Sequence, residues 1–413
     1  MSANNLLIDA DGHILEPPDL WERYLEPKYR DRAIRIRTGS DGREFLEVDG
    51  QRAKLTTAAL LHSLGGMAKL MEMGEGVENL NASLREKVKS RMTQRDANAQ
   101  PFDLGHGNSS PDDTYLSGCA PGAMDLKERL EILERENMDR AVIYPTLGLL
   151  WEAEVFDPEI TSAYCRAYNR WIAEFCAASR GRLVPIAHIS LGDPAEAARE
   201  LQRAVKEGCK GAFVAPYTIT RKPHGHPDHD VFFAAAQDLD VPVGIHPELE
   251  PVEFGVHGRF EGMEWADWYY DLFAAQGVPQ AFATLFQYGV FDRFPRLRVV
   301  VLESGAGWIG YWLDRADAIY RRTALGGTVQ LKERPSYYFK RQCYISADPD
   351  ERSIAAMTKL VGEDRFFWAS DYPHPDHPGN YLEELQGLVD GMTPNARAGI
   401  LGRNVAECYR LGS

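Results

Sequence analysis

The stretch LLIDADGHILEPPDLW, residues 6–21, holds four groups able to bind a cation: Asp9, Asp11, His13 and Glu16. The apolar run Leu6-Leu7-Ile8 leads into it and Pro17-Pro18 follow, so the chemistry sits where a first strand stops. The same placement recurs along the chain. VPIAHIS ends with His188, VPVGIHPE with His246, VVVLESG with Glu303, and FFWASDYPH with Asp371 and His374. Taken singly, each is ordinary. His188 could be a satisfied core histidine, Glu303 a helix cap and Asp371 a turn former. Together they have another meaning. A buried strand that ends in an isolated charge is costly, and one divalent cation shared by several strand ends removes that cost for all of them. Alternation along a strand puts Asp11 and His13 on the same side. The candidate ligands are therefore Asp11, His13, Glu16, His188, His246, Glu303 and Asp371. They exceed what one zinc requires, and a mixed histidine and carboxylate set also suits iron or manganese, as one or two ions per chain. Asp371, His188 and Glu303 are the candidate catalytic groups, with Asp371 first in line to move a proton.

Elements that alternate between strand and helix must position these groups. From about residue 126, short apolar runs (RAVIYPT, RLVPIAHIS, KGAFVAPY, VPVGIHPE, LRVVVLESGAG, QCYISAD, RFFWASDYPHPD) are separated by segments of helical periodicity. With the opening run the count is about eight. Near-continuous apolarity marks strands of a parallel sheet buried on both faces. A closed (β/α)8 TIM barrel is the economical reading, with an open doubly wound sheet second. No G-x-G-x-x-G follows the first strand, which counts against a dinucleotide fold. In a barrel, catalytic groups lie at the carboxyl ends of strands, where the groups above lie. Two β-rich runs around Ser40-Asp41-Gly42 predict an N-terminal hairpin. Residues 55–125 are weakly patterned and rich in Gly, Ser and Asp. They read as an insertion after the first strand, a lid or an oligomer contact within a single domain spanning 1–413. The aromatic stripe Trp265, Trp268, Tyr269, Tyr270 and Phe273 could line a substrate pocket, although such stripes more often pack helices or subunits.

Composition narrows the class. The 413 residues are 44% hydrophobic and 26% charged, with a net charge of −15. That acidity disfavours nucleic acid and anionic membranes as partners and leaves a small-molecule substrate. Six scattered cysteines without a C-x-x-C pair fit reduced thiols in a cytoplasm. No signal peptide is visible and no apolar run reaches about 18 residues. A homo-oligomer is expected.

DADGHILEPPDLW, VPVGIHPEL, FDRFPRLRVVVLESGAGW and WASDYPHPD, in that order, resemble the amidohydrolase superfamily. Within it they resemble the amidohydrolase-related group that contains aminocarboxymuconate semialdehyde decarboxylase and γ-resorcylate decarboxylase. The resemblance implies a divalent metal on Asp11, His13, His246 and Asp371. Two departures stand out. Where the decarboxylases carry a catalytic histidine in an HGG-like segment, this chain has LESGAG, which offers Glu303 and Ser304. GAFVAPY ends in Tyr217 where some members place a further histidine, with His224, His226 and His229 close behind. The expected activities, in order, are hydrolysis by metal-activated water, a dinuclear iron or manganese oxygenase, and non-oxidative decarboxylation. The non-enzyme alternative is a metal-free binding barrel. Glu16 and Glu303 would be the second-metal ligands of a paired site.

Overall fold

The computed structural model describes residues 6–67, 82, 86, 110–255, 272–323, 331–374 and 381–412. Eight parallel strands form one sheet in the order β1 (Ile8–Ile14), β5 (Arg140–Pro145), β6 (Leu183–His188), β7 (Gly211–Val214), β8 (Val243–Ile245), β9 (Val299–Val301), β10 (Cys343–Ala347) and β11 (Phe366–Trp368). Helices lie between successive strands. Two of the longer ones, Pro158–Ala177 and Pro194–Glu207, start on Asp157 and Asp193, whose carboxylates accept the first free amides, with proline at the first turn. The fold is a (β/α)8 barrel, nearly closed. Its seam is made beyond the ladder: His13 N–H donates to Tyr372 O at 2.8 Å, and Asp371 N–H donates to Asp11 O at 2.8 Å.

Every residue of β1 is buried, as expected of a strand covered on both faces. Ile8, Ala10, Val142, Tyr144, Ile186, Phe213, Val300 and Phe367 fill the barrel interior, and Val405, Cys408 and Tyr409 close its lower end. Between Asp9 and Gly12 the pairing with β5 slips: Asp9 faces Ala141, and Gly12 faces Ile143. The extra residue on β1 is a bulge, and bulges re-aim side chains. Ile8 and Ala10 point inward before it. After it the inward position passes to His13, paired with the interior Tyr144.

The hairpin is present. β2 (Arg35–Thr38) and β3 (Glu44–Val48) pair antiparallel, β4 (Gln51–Arg52) adds to them, and Gly42 takes a positive φ of 79° in the turn. The described ends of the insertion join at a bridge between Gly66 and Cys119. They sit on the loop after the last barrel strand, because a Cβ on Gly66 would lie 1.9 Å from Pro373 O. Apart from residues 82 and 86, positions 68–109 lie outside the described residues, and with them the reading as lid or oligomer arm. Trp265, Trp268, Tyr269 and Tyr270 also lie outside; Phe273 is described and partly exposed. All six cysteines are buried and none is in a disulfide. Among the described residues no helix is long and apolar enough to cross a membrane.

Candidate metal centre

Four strand ends converge at the carboxyl-terminal mouth of the barrel. His13 Nε2 lies 3.4 Å from Asp11 Oδ1, 3.6 Å from Glu303 Oε2 and 3.0 Å from Asp371 Oδ1. His246 Nε2 lies 3.5 Å from Asp11 Oδ1 and 3.1 Å from Glu303 Oε2. Asp11, His13 and His246 are fully buried, Asp371 nearly so, and Glu303 keeps 24% of its side chain exposed toward the mouth. Both Asp11 oxygens, His13 Nε2, His246 Nε2, Glu303 Oε2 and Asp371 Oδ1 make no hydrogen bond among the described residues. Buried polar atoms are seldom left so, and here they all point at one spot. The opposite ring nitrogens are engaged: His13 Nδ1 lies 2.6 Å from Pro145 O, and His246 Nδ1 lies 2.7 Å from Pro247 O. A proton on each Nδ1 leaves a lone pair on each Nε2, the tautomer of a metal-ligating histidine. Imidazoles and carboxylates at this spacing fit a divalent ion such as zinc, iron or manganese. Asp11, His13, His246 and Glu303 form one such quartet; His13, Glu303, Asp371 and His374 form an overlapping one. His13 Nε2 has one lone pair, so it can serve only one ion.

The electrostatics favour positive charge at this spot. Burial alone would lower His246, yet the Asp11 and Glu303 carboxylates outweigh it and hold the imidazole up to about 10. Burial would raise Asp11 and Glu303, but the facing imidazoles keep both below the usual carboxylate range. Asp371 is pushed up to about 7 by burial and by the charge of Glu303.

Local structure fixes the aim of these groups. Glu303 and Asp371 both adopt positive φ, 38° and 52°, which turns each side chain back over the mouth. Ser346 Oγ accepts the Glu303 amide at 3.0 Å. The Arg129 guanidinium is buried and donates to the carbonyls of His13, Gly122 and Tyr372, tying β1 to the segment after β11. Asp9 accepts the Ser370 amide at 2.8 Å and the Ser370 hydroxyl, so it braces the Asp371 loop and does not face the cluster.

Two of the seven expected ligands are not brought to this cluster. Both oxygens of Glu16 are occupied: Oε2 accepts the amides of Thr146 and Leu147 at 3.2 and 2.8 Å, and Oε1 that of Gly148 at 2.8 Å. It caps the turn Gly148–Trp151 and joins none of the candidate metal groups. His188 belongs to a separate group with Glu152 and Glu248. The close paired site built on Glu16 is therefore withdrawn. His224 bonds Ala215 O and His229 bonds His224 O, so both serve the loop after β7. The Tyr217 hydroxyl donates to Leu249 O. Sequence reasoning missed Glu152, Glu248 and Arg129. The glutamates follow strand ends by several residues, and Arg129 sits in a helix of ordinary amphipathic pattern.

Comparison with known proteins agrees with this fold. Residues 122–411 match the sequence profile named Amidohydrolase. The chain is 32% identical over 280 residues to "Decarboxylase orsB" of Emericella nidulans, covering 63% of this chain and 78% of that one. Its fold superposes on an amidohydrolase from Mycobacterium avium subsp. paratuberculosis K-10 with a TM-score of 0.77, at 20% identity and full coverage of both chains. A dihydroxybenzoic acid decarboxylase from Polaromonas sp. JS666, solved with manganese and the inhibitor 2-nitroresorcinol, gives 0.62 at 16% identity, covering 99% of this chain and 98% of that one.

Proposed function

Because the chain belongs to the amidohydrolase family, we propose that it is a metal-dependent enzyme that removes a carboxyl group, as CO2, from a small hydroxylated aromatic acid. Metal dependence is carried by the convergence of unpartnered buried atoms of Asp11, His13, His246, Glu303 and Asp371 on one point. Decarboxylation is supported by the 32% identical relative, a decarboxylase. The hydroxylated aromatic class is supported by the manganese-bound neighbour, named for dihydroxybenzoic acid.

Asp11, His13, His246 and Glu303 would hold the ion, which when bound would supply Lewis-acid polarisation of a substrate oxygen. The chain's own groups do the rest. Decarboxylation breaks the carbon–carbon bond to the carboxylate and forms a carbon–hydrogen bond, so one proton must reach the ring carbon as CO2 leaves. Asp371 is the donor. His374 Nδ1 stands 3.1 Å from Asp371 Oδ1 and its Nε2 3.2 Å from Thr146 Oγ1, a short relay for returning that proton. The His374 ring stacks on His13 at 3.9 Å, which fixes its place. The test is direct. Chelator-treated protein should release no CO2 from a panel of mono- and dihydroxybenzoates, and manganese or zinc should restore release from at least one.

Hydrolysis is the second reading, and Glu303 favours it. Where the resembling decarboxylases place a histidine, this chain puts a part-exposed carboxylate that could take a proton from water. Turnover of esters, thioesters or amides without CO2 release from any benzoate would replace the first reading with this one.

A further inference from the structure

We propose that Glu152, His188 and Glu248 form a second divalent-cation site, weaker than the first and sharing no residue with it. His188 Nε2 stands 3.2 Å from Glu152 Oε2 and 3.4 Å from Glu248 Oε1. The three side chains are buried, Glu248 completely. Neither carboxylate oxygen of Glu248 makes a hydrogen bond among the described residues, although Oε1 is aimed at His188. The other two ligands are held in place. Ser190 Oγ donates to Glu152 Oε1 at 2.6 Å, which leaves Oε2 turned toward His188. Asn169 brackets the His188 backbone, accepting its amide at 2.8 Å and donating to its carbonyl at 3.0 Å.

Two acids against one imidazole leave a buried negative excess, which a small cation balances. Burial this complete admits an ion and not an organic ammonium group. Phe213 separates the two centres: its ring stacks on His188 at 4.5 Å and meets His246 edge-on at 5.8 Å. The second site is the weaker for two reasons. It offers three protein groups, and His188 Nδ1 has no hydrogen-bond partner among the described residues, whereas Nδ1 of His13 and of His246 each has a carbonyl. A missing outer partner of this kind costs roughly 10–100-fold in metal affinity.

Metal-free protein titrated with Mn2+, with free Mn2+ counted by electron paramagnetic resonance, tests this without any substrate. The wild type should bind two ions per chain, the second at least about tenfold more weakly. Glu248→Gln and Glu152→Gln, each checked for folding by circular dichroism, should keep the tight ion and lose the weak one. One ion in the wild type overturns the proposal, as do two ions in a folded glutamine variant. Loss of the tight ion with the weak one kept overturns it as well. The count is independent of CO2 release, so it stands or falls apart from the decarboxylase reading.

Discussion

A histidine that donates through Nδ1 to a backbone carbonyl has only Nε2 left for chemistry. His13 and His246 are both held this way, facing Asp11, neither of whose carboxylate oxygens makes a hydrogen bond among the described residues. His13→Ala should therefore abolish tight metal binding, because the remaining carboxylates lose a ligand and repel one another; elemental analysis after dialysis checks this. Full metal content in that variant would move the site elsewhere. Asp371→Asn keeps the shape and an oxygen but carries no transferable proton. It should keep its metal while kcat for CO2 release falls by about 10²–10⁴. Glu16 makes the contrast. Glu16→Ala should leave metal content unchanged, yet three buried amides lose their acceptor. A loss of about 1–3 kcal/mol in denaturant unfolding is expected. Loss of metal in that variant would return Glu16 to the site.

At the scale of elements, the site depends on how β1 meets the segment after β11. The bulge between Asp9 and Gly12 brings His13 inward, and Asp9 reaches across to brace Ser370. Gly12 lets the bulge close on that brace, since a Cβ there would lie 2.8 Å from Asp9 Oδ2. Arg129 then spans the seam through three carbonyls. Arg129→Met fills similar space but removes the guanidinium donor from all three carbonyls, although Tyr372 O keeps the His13 amide. It should destabilise the protein by about 1–3 kcal/mol or more, and it should loosen the metal although Arg129 reaches only the backbone carbonyl of His13 and not its ring. Unfolding midpoint and metal affinity, measured on the same sample, check both. Wild-type affinity in a destabilised Arg129→Met would show that the seam does not position the ligands.

For the whole molecule, metal binding and folding are linked. An ion held by the assembled mouth and not by the unfolded chain should, at about a hundredfold excess over Kd, add roughly 2.7 kcal/mol of stability. The linkage to pH has a definite sign. Without metal, the carboxylates hold the His246 imidazole protonated up to about 10, and that proton must leave when Nε2 takes the ion. Binding should therefore release protons near neutral pH, and affinity should rise with pH. Calorimetry in buffers of different ionisation enthalpy measures that release; a proton count of zero would mean that His246 is not a ligand.

The barrel was legible in the sequence because parallel strands buried on both faces are near-continuously apolar, and punctuation by helices leaves few other topologies. The strand-end residues Asp11, His13, His246, Glu303 and Asp371 were legible for the same reason: an ionisable group that ends an apolar run stands out. Tertiary structure decided what single runs cannot carry. Glu16 has the ligand chemistry and the right neighbourhood, but three amides from the turn after β5 reach it first. His188 ends its strand like the others, yet the curvature of the barrel carries it behind Phe213, to glutamates contributed by two other strand-end loops. The bulge in β1 is also invisible in the one-dimensional pattern, because it is a mismatch with β5 and belongs to neither strand alone. Residue type states which chemistry is available; which atoms are already satisfied by a neighbouring backbone, and so which remain for a metal, is a property of contacts between segments distant in the chain.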